Sequence, residues 1–105
     1  MTIQTDLTIA KILYPSGGIQ FRYARVMAAD RTRWIRHGFF TALHENGTIA
    51  SEGGYCHGKE VGLWRDFHAN GQLASEGHYL DGKEVGLWRY WNSSGIEDSS
   101  YDHDN

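Results

Sequence analysis

Six histidines, His37, His44, His57, His68, His78 and His103, and one cysteine, Cys56, are the side chains of this sequence best suited to metal or nucleophilic chemistry. Metal ligation from a helix needs histidines four apart, as in HExxH, and no pair here has that spacing. His44 and His68 stand at equivalent places in two similar segments, so a repeated structural role explains them more simply than a metal. Cys56 precedes His57, but neighbours on a strand point to opposite faces, which predicts that thiol and imidazole do not meet. Cys56 reads instead as a packing residue in the place Leu80 takes one copy later. The expectation is no catalytic residue, no metal site and no cofactor.

The elements that position these residues follow from an internal repeat. Residues 38–61, GFFTALHENGTIASEGGYCHGKEV, and residues 62–85, GLWRDFHANGQLASEGHYLDGKEV, agree without a gap at 13 of 24 positions. A third copy opens as GLWRYWNSSG at Gly86 and degenerates over 86–105. Upstream, Leu13-Tyr14-Pro15-Ser16-Gly17-Gly18-Ile19 resembles a diverged copy, although residues 1–37 otherwise keep little of the pattern.

Each unit holds two turn signals. Asn46-Gly47 and Asn70-Gly71 suit a two-residue hairpin turn with positive φ at both positions, and His57-Gly58 and Asp81-Gly82 supply the second turn. The runs between them, such as 62–68 and 72–80, have strand length, and recurrent glycine with no 3.6-residue period disfavours helix. The predicted fold is all-β, a single domain over 1–105 built as an antiparallel meander of about seven or eight strands in one curled sheet. Phe40, Trp64 and Trp88 fall at equivalent positions and should form a ladder that serves as the core. Trp64 and Phe67 cannot share a face by simple alternation, so a bulge occurs or both faces are used.

Composition narrows the class. With 105 residues, 40% of them hydrophobic, and a single cysteine, the chain has content for one small domain without an internal disulfide, which fits a reducing compartment. No apolar run approaches the ~20 residues of a membrane helix, and the first residues lack a basic start followed by an apolar stretch. A cytoplasmic protein is expected.

The unit GLWRDFHANGQLASEGHYLDGKEVG resembles the MORN-repeat variant found in bacterial antitoxin-like proteins, through Gly62, Trp64, Phe67, Asn70, Gly71, Leu73, Glu76, Gly77, Tyr79, Gly82 and Gly86. The resemblance spans about residues 38–95 and implies a β-hairpin repeat fold and a role in protein–protein interaction. Proteins of this appearance include immunity proteins and antitoxins that neutralise a cognate toxin, as in contact-dependent growth inhibition.

Charge supplies a chemical reason for that expectation. Residues 1–37 carry six Lys or Arg against two Asp, 6 − 2 = +4, while residues 38–105 carry four against eleven carboxylates, 4 − 11 = −7. An acidic array disfavours nucleic acid and membranes and suits a basic protein partner, a toxin and in particular a nuclease whose active site it would occlude. Candidate electrostatic contacts are Glu45, Glu60, Asp66, Glu84, Glu97 and Asp98; Tyr90 and Trp91 depart from the repeat and are the candidate aromatic anchors, whereas Trp64 and Trp88 read as core. Two alternatives compete: a generic assembly scaffold acting through exposed repeat edges, and a nucleic-acid or anionic-lipid binder using Arg31, Arg33 and Arg36 around Trp34. Read as a strand, 31–36 would put Arg31, Arg33 and Ile35 on one face and Thr32, Trp34 and Arg36 on the other. The tail from Glu97 to Asp104 should be frayed unless a partner orders it.

Overall fold

A computed structural model describes residues 7–104. Eight strands follow one another, β1 (Thr8–Leu13), β2 (Ile19–Met27), β3 (Trp34–Leu43), β4 (Ile49–Cys56), β5 (Lys59–Phe67), β6 (Leu73–Leu80), β7 (Lys83–Trp91) and β8 (Glu97–Asp102). They form one antiparallel sheet in sequential order, not closed on itself, so the all-β meander read from the sequence is the observed fold. Its principal extents are 49 × 42 × 22 Å, and a single layer 22 Å deep is twisted and bent rather than flat.

The two kinds of turn are the reverse of what the dipeptides predict. At His57-Gly58 and Asp81-Gly82 both residues have positive φ, 49° and 87°, then 53° and 83°, which is the two-residue hairpin turn. At Asn46-Gly47 only the glycine does, at 88°; Gly47 N–H donates to His44 C=O (2.9 Å) and His44 N–H to Thr48 C=O (2.8 Å). That is a three-residue loop with glycine in its left-handed position. Asparagine is needed there for its side chain. Its Oδ1 accepts from Thr48 N–H (3.0 Å), and its Nδ2 donates to Ala69 C=O of the next loop (2.8 Å). Asn70 repeats the cross-loop bond to Ser93 C=O (2.7 Å). His44 and His68 join Phe67 C=O and Trp91 C=O at 2.8 and 2.9 Å, so their shared place in the repeat is structural. The loop at Tyr14–Gly18 has the same bonds, and Tyr14 Oη donates to Leu43 C=O (2.6 Å), which makes it the diverged copy the sequence suggests.

The core lies on one face. Phe40, Trp64 and Trp88 are buried there, with Phe21, Tyr23, Ala42, Tyr55, Tyr79 and Tyr90 packed against them. The ladder is not phenylalanine and tryptophans alone: Tyr55 meets Trp64 edge-on at 5.3 Å, and Tyr79 stands between Trp64 (5.8 Å) and Trp88 (5.1 Å). Two glycines open the seats. A Cβ on Gly53 would lie 2.1 Å from Trp64, and one on Gly77 2.1 Å from Trp88, so each indole lies directly on the backbone of the preceding strand. Indole N–H groups complete the fit by donating to Gly54 C=O (3.1 Å) and His78 C=O (3.2 Å). Register shifts occur in every strand pair, including one between Asp66 and Phe67, and Phe67 is not part of the tryptophan cluster. Bulges and use of both faces therefore coexist.

The opposite face carries a row of charges brought level by register. Lys11, Arg22, Thr41, Glu52, Arg65, Glu76, Arg89 and Ser100 are successive cross-strand neighbours from β1 to β8. Within it Arg65 pairs with Glu76 at 3.1 Å.

The C-terminal tail is ordered against expectation. Arg89 grips Glu97 through two bonds of 3.0 Å, Tyr101 lies opposite Trp88, and Gly86 bonds both His103 N–H (to its C=O, 2.9 Å) and Asp104 Oδ1 (from its N–H, 3.2 Å). Those partners come from β7, and the sequence of the tail alone does not announce them.

Candidate functional site

The aromatic face is where the chemistry gathers. The hairpin turn at His57-Gly58 sets Glu60 opposite Tyr55, and the turn at Asp81-Gly82 sets Glu84 opposite Tyr79. Asp66 stands level with Ser51 and Ser75, whose hydroxyls donate to its two oxygens at 2.5 and 3.0 Å. Tyr79 Oη donates to Glu84 at 3.5 Å, and His103 lies 2.9 Å from the same carboxylate. Burial pushes the Tyr79 phenol up to about 12, reinforced by the negative fields of Glu84, Glu60 and Asp66 and by the bond to Glu84. Tyr90 is raised by burial first and then by Glu84 and Asp66. One field thus covers the C-terminal half of this face.

Four groups read from the sequence as partner contacts are therefore placed around the tryptophan ladder: Glu60, Asp66, Glu84 and Tyr90 share this face, with Trp88 beneath them as core. The others lie elsewhere. Glu45 is in the exposed loop after β3, Asp98 is exposed at the irregular start of β8, and Glu97 is bound to Arg89 on the charged face. Trp91 is half-buried, with the Arg89 guanidinium 5.0 Å from its ring, so it belongs with Glu97 and not with Tyr90. Adjacent strand residues face opposite ways, which is why the Tyr90-Trp91 pair could not act as one anchor.

Sequence reasoning passed over Tyr55 and Tyr79 as site residues and read Arg36 with Arg31 and Arg33 as a basic cluster, not as part of the aromatic face. Arg36 occupies, one copy earlier, the place of Glu60 and Glu84: Gly58 N–H donates to Arg36 C=O (2.8 Å) as Gly82 N–H does to Glu60 C=O (3.0 Å). Its guanidinium lies over Tyr23, Phe40 and Tyr55 at 5.1, 5.2 and 5.6 Å from the ring centres. The 24-residue spacing held this signal, since 36, 60 and 84 differ by one repeat each. Arg31 and Arg33 are in the loop before β3, with Arg31 at φ 61°, so they are not strand residues as expected; Trp34 begins β3 and stacks under Arg25 at 4.0 Å.

A face built from paired turns, stacked indoles and a 24-residue period is the mark of a repeat, and comparison with known families bears on it directly. Residues 60–81 match the MORN repeat variant. The matched segment runs through β5, Asn70-Gly71 and β6 to the Asp81-Gly82 turn, so it contains Trp64, Glu60, Asp66, Gly77 and Tyr79. No curated protein and no solved structure matches the chain. Among the described residues no helix is long and apolar enough to cross a membrane.

Proposed function

We propose that this chain, with its MORN repeat variant, is a protein-binding module whose aromatic face takes cationic side chains of a basic partner, and that the partner is a protein toxin held inactive by occlusion. The observation that carries the reading is the setting of Glu60, Asp66 and Glu84 among Tyr55, Trp64, Tyr79 and Trp88 on one open face. Among the described residues none of these three carboxylates is paired with a lysine or arginine. Guanidinium groups are attracted both by ring faces and by carboxylates. Arg36 supports the chemistry from within the chain, since its cation already rests on three rings of the same ladder. A basic active-site cleft, such as a nuclease uses for phosphate, is complementary to such a face and would be steered to it.

The test is capture at low and high salt of partners from the source cells, identification of any basic polypeptide, and its expression in cells with and without this protein. Toxicity relieved by the wild-type chain but not by Asp66→Lys with Glu84→Lys supports neutralisation. Rescue by the doubly reversed chain contradicts it.

One observation favours a second reading, an assembly scaffold. β1 lies at the end of the sheet and exposes Ile9, Ile12 and Leu13, an apolar edge suited to pairing with another strand. Concentration-dependent mass by light scattering that is abolished by Ile9→Lys with Ile12→Lys would favour this reading over toxin binding.

A further inference from the structure

His57 does not behave as an ordinary strand neighbour of Cys56. Its φ of 49° at the first position of the hairpin turn swings its ring to the side of the thiol, and Nδ1 comes to 3.4 Å from Cys56 Sγ. The expectation that the two would point apart fails for this reason. From the preceding strand His37 closes the group: its ring centre is 4.6 Å from that of His57, and its Nδ1 accepts the His57 N–H at 3.0 Å. One donor atom from each of His37, Cys56 and His57 lies within 4.8 Å of the others, with Cys56 and His57 exposed and His37 half-buried.

We propose that His37, Cys56 and His57 form a binding site for a single borderline-soft divalent metal ion, Zn²⁺, at the turn edge of the sheet. Two imidazoles and one thiolate are a zinc donor set, and a tetrahedral zinc site with bonds of about 2.0–2.3 Å separates its ligands by about 3.5 Å. The Sγ to Nδ1 distance of 3.4 Å already has that value. His37 Nδ1 is held as an acceptor, the unprotonated state a metal requires. On binding, the ion takes over this lone pair, the His57 amide at the exposed edge turns to water, and the Cys56 thiol releases its proton to solvent. The fourth position is left to water or to a donor from outside.

The repeat supplies an internal control. Twenty-four residues later the same three places hold Val61, Leu80 and Asp81, which satisfy the same strand and the same two-residue turn. Fold requirements are therefore met without histidine or cysteine, and all three positions depart together in the first copy. The site also lies on the opposite side from the tryptophan ladder, since Tyr55 and Arg36, the neighbours of Cys56 and His37, face the ladder. It stands independently of the toxin-binding reading.

The experiment is titration of the reduced full-length protein with Zn²⁺ against a chromophoric chelator, with Co²⁺ as a spectroscopic probe. The expected result is one equivalent bound and a thiolate-to-cobalt charge-transfer band. Cys56→Ser, His37→Gln and His57→Asn each weaken binding by at least about tenfold, Cys56→Ser removes the band, and His78→Gln changes neither. Asparagine tolerates the positive φ at position 57, so this variant keeps the turn, and unchanged circular dichroism of the apo variants verifies that they are folded. Absence of stoichiometric binding, or binding that survives Cys56→Ser with its band intact, overturns the proposal.

Discussion

The two faces of this sheet use charge in opposite ways. On one, glutamate and arginine alternate from β4 to β7 and pair within the chain, as in Arg65 with Glu76 and Arg89 with Glu97. On the other, Glu60, Asp66 and Glu84 sit among aromatic rings, with Asp66 and Glu84 bonded to hydroxyls and to His103. The two arginine pairs are complete within the chain. The second face sets carboxylates beside aromatic rings with no lysine or arginine paired to them among the described residues, and the proposed cationic partner rests on that setting. A sheet without a second layer has two solvent-facing sides, and these differ because register, not sequence distance, decides which residues become neighbours.

The comparison predicts unequal costs of substitution. Trp88→Ala on the ladder should cost about 3–5 kcal/mol, whereas Trp34→Ala, at 43% exposure, should cost far less; urea unfolding followed by circular dichroism measures both. Gly77→Ala follows, at about 3 kcal/mol, because its Cβ would collide with the Trp88 ring. Gly54→Ala, whose Cβ would find its nearest neighbours at 3.8 Å, is the matched control and should be nearly neutral by the same assay.

Alkaline pH separates the faces further. The folded Tyr79 phenol, raised to about 12 from 10.0, favours the folded state in its neutral form. That contribution is fully present below pH 10 and is lost as pH rises through about 12. Tyr79→Phe should flatten the decline in melting temperature over this window, with phenolate absorbance recording the wild-type transition. The smallest effect belongs to the charged face: Glu76→Ala should cost less than about 1 kcal/mol, since the pair it breaks with Arg65 is partly exposed. A loss as large as that of Gly77→Ala would mean that the charge row, not the ladder, holds the sheet together.

Much of the fold is legible in the chain itself. The 24-residue period, the dipeptide turns and the equivalence of Phe40, Trp64 and Trp88 specify a hairpin meander with an aromatic core. Turn type is less legible, because Asn46 serves through its side chain and not through its backbone. The site is half legible. Glu60, Asp66 and Glu84 can be ranked by charge, but only the hairpin register shows that they share a face, while Glu97 and Trp91 lie with Arg89 on the other and Glu45 is in an exposed loop. His57 is misjudged by the alternation rule, which holds within strands and fails at a residue of positive φ. The ordered tail depends on Arg89, Trp88 and Gly86 in the preceding strand, contacts that no local pattern of Glu97–Asp102 contains.

The measurement that bears most directly on the aromatic face is partner binding by two double charge reversals with matched charge. Asp66→Lys with Glu84→Lys alters the ladder side, and Glu45→Lys with Asp98→Lys adds the same charge at two exposed positions that are not packed in the ladder. With the captured basic partner, the first pair should weaken binding by at least about a hundredfold, about 2.7 kcal/mol, and the second should leave it within a few-fold of wild type. Equal losses from both pairs, or retained binding by the first, would contradict the assignment of the aromatic face as the binding surface.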